Sequence, residues 1–184
     1  AKHIVPGDPC VGIKGRAISG DTSKGEAARV MLSDAELKAV FSVLPNYGRI
    51  NELVIRILLS TAVRIQALTL AEWSHVDFVK KEWTIPPGDG RKSDRAFVVP
   101  LTDAVIGYFA ELQTLAGNSS FVLPVQKRIR GREGDAPMRQ HTINQVLVRL
   151  CDELGTRCRK FSPHDLRSTA RSHFAALGVN LIVA

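Results

Sequence analysis

The sequence predicts an α+β domain, mainly α-helical with a small three-stranded antiparallel sheet. Three observations carry that prediction. Apolar residues recur at helical spacing on both sides of the chain's middle, three short β-branched or aromatic runs cluster between them, and no strand–helix–strand alternation occurs. With 184 residues the chain has room for one core, burying about 70% of its unfolded surface.

Residues 1–29 are rich in Gly, Lys and small polar residues without sustained periodicity, and read as a linker or arm. Ser33-Asp34-Ala35-Glu36 is a capping box, with Ser33 as N-cap and Glu36 reaching back. The helix it starts carries Leu37, Val40, Phe41 and Leu44 on one face and stops at Pro45. A second helix fits Ile50 to Ser60, with Leu53, Ile57 and Leu58 at helical spacing, and Arg64 follows its end. Val76-Asp77-Phe78-Val79, Glu82-Trp83-Thr84-Ile85 and Ala96-Phe97-Val98-Val99 read as the strands, separated by Lys80-Lys81 and by Pro86-Pro87-Gly88-Asp89-Gly90. From the N-cap Thr102 a helix presents Val105, Ile106, Phe109 and Leu112 and ends near Gly117. A basic loop spans Gln126 to Pro137. Two last helices fit Thr142 to Leu154 and Asp165 to Leu177, the latter stopped by Gly178.

Composition bounds the chemistry. A formal charge of +7 and a pI near 9.7 favour an anionic partner. Cys10, Cys151 and Cys158 lack metal-ligand spacing and read as buried or free thiols of a reducing cytoplasm. No apolar run approaches the ~20 residues of a membrane helix, and nothing resembles a signal peptide. The chain opens without a methionine and stops at Ala184, directly after the apolar run Leu181-Ile182-Val183, so both ends read as boundaries of a longer protein.

Arg64, in Thr61-Ala62-Val63-Arg64, and the pair His164 and Arg167, in His164-Asp165-Leu166-Arg167, suit a site that grips one phosphodiester. The pentavalent transition state of such an ester carries negative charge on its non-bridging oxygens. A guanidinium stays ionised and donates two parallel hydrogen bonds to that charge. His164 lies one helical turn before Arg167 on the same face. The alternative is surface ion pairs for the arginines and a helix-capping role for His164. Lys127, Arg128, Arg130 and Arg132 can track phosphates without reading bases, or form a solvated charge run. Lys80, Lys81 and Arg91 suit non-catalytic backbone contact. His173 is expected to be structural, His75 half-exposed, and Trp73 and Trp83 to pack the sheet against helices. Tyr47 reads as a loop or surface residue and Tyr108 as helix packing.

Thr61-Ala62-Val63-Arg64, then Lys92 ahead of Phe97-Val98-Val99-Pro100-Leu101, then His164-Asp165-Leu166-Arg167 follow one another in an order that resembles the catalytic domain of tyrosine recombinases, the phage-type integrases. Leu32-Ser33-Asp34-Ala35-Glu36-Leu37 and Glu72-Trp73-Ser74-His75-Val76-Asp77-Phe78 fit the same pattern, and the resemblance covers residues 30–184. It implies that Arg64 and Arg167 clamp the scissile phosphate, that His164 shares the contact and manages the nucleophile's proton, and that Lys92 protonates the leaving 5′-hydroxyl. The implied reaction passes through a 3′-phosphotyrosyl bond that conserves the ester's energy, so it needs neither cofactor nor metal. The implied partner is double-stranded DNA carrying an attachment site of a prophage or genomic island. The full-length protein is implied to act in the bacterial cytoplasm as a tetramer on DNA, and this stretch alone to be a monomer without a membrane role.

Two departures from the family pattern stand out. The acidic residue common three positions after the first arginine is Ala67 here, with Gln66 beside it as a partial substitute. The nucleophilic tyrosine falls beyond Val183, so the chain taken by itself is expected to cut nothing. A non-catalytic DNA-binding module on the same fold is the main alternative, and a metal-free phosphotransferase acting on small esters is a remoter one.

Overall fold

Ser33 opens the first helix as the capping box requires: its Oγ accepts from the Glu36 N–H at 3.3 Å while Glu36 Oε2 accepts from the Ser33 N–H at 2.8 Å. The computed structural model that shows this describes residues 29–88, 95–125 and 135–179. Within them lie helices α1 (Asp34–Val43), α2 (Arg49–Thr61), α3 (Ile65–Thr69), α4 (Asp103–Ala116), α5 (Gln140–Leu154) and α6 (Pro163–Ala176). Strands β1 (Val76–Asp77), β2 (Glu82–Ile85) and β3 (Phe97–Pro100) form one antiparallel sheet in that order. The protein is mainly helical with a small three-stranded sheet.

Helix α2 is the central post. Leu53, Val54, Ile55, Ile57 and Leu58 are all buried, because α4 and α6 pack on it from different sides. Its one buried charge, Glu52, is bracketed by Arg49 and Arg56, each 2.9 Å away. Arg49 also forks onto Glu111 of α4 at 2.6 and 2.7 Å, tying the two helices together.

The sheet lies against α4 through Trp83, which is fully buried and meets Phe109 edge-on with ring centroids 5.6 Å apart. Register pairs Trp83 with Val99 and Ile85 with Phe97. The first strand is shorter than its β-branched run suggests. Asp77 Oδ1 accepts from the N–H groups of Val79 and Lys80, so a side-chain-capped turn replaces the ladder and leaves Val79 92% exposed. The third strand is shifted one residue on, ending at Pro100, whose missing N–H costs nothing on an edge strand.

Both C-terminal helices begin earlier than their apolar spacing indicates. Helix α5 starts at Gln140. Helix α6 starts at Pro163, because Ser162 and Asp165 form a second capping box and proline is favoured at the first helical position. His164 therefore lies inside the helix that carries Arg167.

Candidate active site

The site is assembled at the end of α2. Ala62 closes that helix in the left-handed conformation, with φ 51° and its N–H bonded to the Leu58 carbonyl at 3.0 Å. Alanine there carries a backbone cost of about 1–2 kcal/mol, which the surrounding packing has to offset. The turn sends Val63 into the core and brings Arg64 out as the N-cap of α3. From α6, Arg167 donates a hydrogen bond from Nη1 to the Ala62 carbonyl oxygen. Residues 105 positions apart in sequence thereby share one corner.

Arg64, His164 and Arg167 line a single open cleft of about 160 Å³, together with Ile65, Gln66, Gln140 and Pro163. Arg64 and His164 are exposed and Arg167 is half-buried. The Arg64 side chain, unlike its carbonyl, which accepts from the Ala67 and Leu68 N–H groups, makes no hydrogen bond or ion pair among the described residues, and it lines the cleft. Gln140 and Pro163 are the first residues of α5 and α6, so two long helices turn their N-terminal ends toward the cleft and add partial positive charge to it. Geometry and charge suit a tetrahedral anion held by guanidinium forks, with an imidazole beside it.

Gln140 escapes the sequence reading, which begins α5 two residues later, because the N-cap Arg139 makes no side-chain capping bond that would mark the start. Ala67 is buried in the core and does not line the cleft, and Gln66, although it lines the cleft, makes no hydrogen bond to Arg64. Lys92, Arg91, Lys127, Arg128, Arg130 and Arg132 lie outside the described residues.

The remaining candidates are placed elsewhere. Tyr47, in a short 3-10 turn rather than a loop, donates its hydroxyl to Glu153 at 2.6 Å; burial and that carboxylate push its pKa up to about 12. Tyr108 packs on the core. His173 Nε2 lies 3.9 Å from Asp34 Oδ1, and the half-buried His75 accepts from the Glu72 N–H at 3.3 Å through Nδ1. Cys151 and Cys158 are free, and burial pushes both thiols up, Cys158 to about 11. Among the described residues no group of His, Cys, Asp or Glu is arranged to hold a metal, and no helix is long and apolar enough to cross a membrane.

Comparison with known proteins bears on this arrangement. Residues 30–184 match the Phage integrase family. Prophage integrase IntA of Escherichia coli K12 is 32% identical over 91 residues, which are 50% of this chain and 21% of that protein. Prophage integrase IntZ of the same organism is 29% identical over 117 residues, 63% of this chain and 27% of that protein. The chain thus spans about a quarter of the length of these curated relatives. Among solved structures, the Tn1549 transposon integrase in complex with circular intermediate DNA superposes with a TM-score of 0.68 at 19% identity, over 83% of this chain and 56% of that one. XerA recombinase gives 0.67 at 19% identity, over 84% and 53%. A lambda integrase tetramer bound to a Holliday junction gives 0.65 at 15% identity, over 88% and 47%.

Proposed function

The chain belongs to the phage integrase family, and on that premise we propose that it forms the phosphate-holding part of a site-specific recombinase that cleaves and rejoins double-stranded DNA through a 3′-phosphotyrosyl intermediate. The observation that carries this reading is the convergence of Arg64, His164 and Arg167 on one open, positively charged cleft. A DNA backbone passing across the cleft offers one phosphate to both guanidiniums. Their charge neutralises the two non-bridging oxygens as attack builds negative charge there, the role of a preorganised oxyanion hole. Arg167, held by Ala62, is the positioned donor, whereas Arg64 is the adaptable one. His164, which lines the same cleft, is assigned to share the phosphate contact and pass the nucleophile's proton.

Neither tyrosine of the sequence, Tyr47 or Tyr108, lines the cleft. The nucleophile is therefore assigned to residues outside this sequence, and protonation of the leaving 5′-hydroxyl to Lys92. The basic residues Arg91, Lys127, Arg128, Arg130 and Arg132 are assigned to DNA backbone contact, and the element served to a prophage or genomic island in a bacterial cytoplasm. The full-length protein is assigned a tetramer on DNA and this stretch alone a monomer. Support comes from the family match to 30–184 and from neighbours of the same fold described with DNA.

The test is a nicked duplex carrying the attachment site, incubated with the full-length recombinase, and scored for a detergent-resistant protein–DNA adduct. Adduct formation that is lost in Arg64→Ala and Arg167→Ala while salt-dependent binding persists supports the reading. Tight binding with no adduct from the unmodified protein would transfer the assignment to a DNA-binding module, for which the buried Ala67 in place of a family carboxylate is the favouring observation.

A further inference from the structure

Helix α6 is fastened to more than the corner at Ala62. On its opposite side it receives the extended segment Val30–Leu32 that leads into α1. The Val30 N–H donates to Asp165 Oδ1 at 3.0 Å, and two residues on the Leu32 N–H donates to Thr169 Oγ1 at 3.0 Å. Alternate residues of an extended strand thus meet consecutive turns of a helix, since i, i+2 along a strand and i, i+4 along a helix both advance about 6 Å. Thr169 is fully buried, so its hydroxyl is a committed acceptor with no water to replace the Leu32 N–H. Met31, between the two, has its carbonyl held by Arg159 at 2.6 Å and its sulfur by the Ser172 hydroxyl at 2.8 Å.

Asp165 is the hinge pin of this arrangement. It stands between His164 and Arg167 in sequence, and its second carboxylate oxygen takes the Ser162 N–H at 2.8 Å and the Ser162 hydroxyl at 2.7 Å. One side chain therefore joins the start of α6 to the Val30 backbone. Burial raises its pKa, but the hydrogen bonds from Ser162 and Val30, with His164 nearby, outweigh that and hold the carboxyl below its usual range. It is a charged, doubly engaged acceptor at neutral pH.

We propose that Asp165 and Thr169 are positioning residues: they bind the Val30–Leu32 backbone to α6 and thereby set where His164 and Arg167 stand relative to Arg64. The incoming segment becomes a tether through which anything attached before Val30 can tighten or loosen the phosphate clamp. This rests on the proposed phosphate role of Arg64 and Arg167. Thermodynamic reciprocity supplies the test, because a tether that orients the clamp must itself be tightened by an anion in the clamp.

The experiment uses the whole 184-residue chain with inorganic phosphate as probe, followed by NMR at the Arg64 and Arg167 guanidiniums and by amide hydrogen exchange at Val30 and Leu32. In the unmodified chain, phosphate is expected to shift both guanidinium signals and to slow exchange at Val30 and Leu32. Thr169→Val, which keeps shape and the Ser162–Asp165 capping box, is expected to move the His164 and Arg167 signals without ligand and to weaken phosphate about fivefold. Thr169→Ser, which keeps the acceptor, is expected to restore affinity. Phosphate binding with exchange at Val30 and Leu32 unchanged would overturn the tether, whether or not Thr169→Val folds, and so would unaltered affinity in that variant. Absence of any guanidinium shift in the unmodified chain would overturn the phosphate reading itself and the tether with it.

Discussion

Arg167 on α6 donates a hydrogen bond to the carbonyl oxygen of Ala62, the left-handed residue that ends α2 two positions before Arg64. The carbonyl groups of a helix's last turn lack intrahelical partners, and a guanidinium placed there satisfies one of them while opposing the negative end of the helix. The same bond sets Arg167 beside the turn that exposes Arg64. One interaction therefore stabilises the corner and places the second arginine of the cleft.

This asymmetry separates the two arginines experimentally. Arg64→Ala is expected to change stability by no more than about 0.5 kcal/mol, since the Arg64 side chain has no hydrogen-bond or ion-pair partner among the described residues. It should nevertheless weaken DNA binding and make its salt dependence shallower by about one phosphate contact. Arg167→Ala should weaken binding as well and also destabilise the fold by about 1–3 kcal/mol, by orphaning the Ala62 carbonyl. Urea titrations beside salt-dependent binding curves distinguish the two; equal loss of stability in both variants would contradict the geometry.

Glu36 responds to acid. The Arg159 guanidinium, 2.7 Å away, together with the Ser33 and Arg159 N–H groups, holds its carboxyl far below the usual range against the opposing effect of burial. A depressed folded-state pKa contributes stability that is present above the unfolded value of about 4.3 and is lost as pH falls below it. The melting temperature should fall as pH drops from about 4.3, and Arg159→Ala should flatten that part of the profile.

Tyr47 responds to base. Its pKa of about 12 lies above the unfolded value near 10, so its contribution is complete below about pH 10 and lost between about 10 and 12. Tyr47→Phe should remove that alkaline limb, cost about 1 kcal/mol at neutral pH and leave DNA affinity unchanged. A loss of DNA affinity would contradict the structural role assigned to Tyr47.

Glu52→Ala tests the post. Removing the buried carboxylate leaves Arg49 and Arg56 without their shared partner, though both reach solvent, which limits the cost to about 1–3 kcal/mol. Urea unfolding measures it. Phosphate affinity should not change, because Glu52 is not among the residues that line the cleft.

Local chemistry makes much of this molecule legible in its sequence. Ser33–Glu36, Thr102 and Gly178 mark helix ends by side-chain hydrogen bonds or permissive backbone angles that neighbours in sequence determine. Arg64, His164 and Arg167, which the sequence singles out, do come together at one cleft. Where the structure departs from the apolar pattern, a local side-chain competitor is the cause: Asp77 caps the turn that shortens β1, and Ser162–Asp165 draw the start of α6 back to Pro163.

What the sequence by itself determined is therefore the class of fold, the approximate span of each helix and strand, and the identity of the charged groups available to bind an anion. What only the tertiary structure decided is how those groups are held. Ala62 in its left-handed turn, Gln140 at the cleft wall, and Val30–Leu32 docked on Asp165 and Thr169 unite residues more than a hundred positions apart, or separated by a whole sheet. Periodicity and capping report on neighbours within a turn or two, whereas these contacts arise from helices packing around α2.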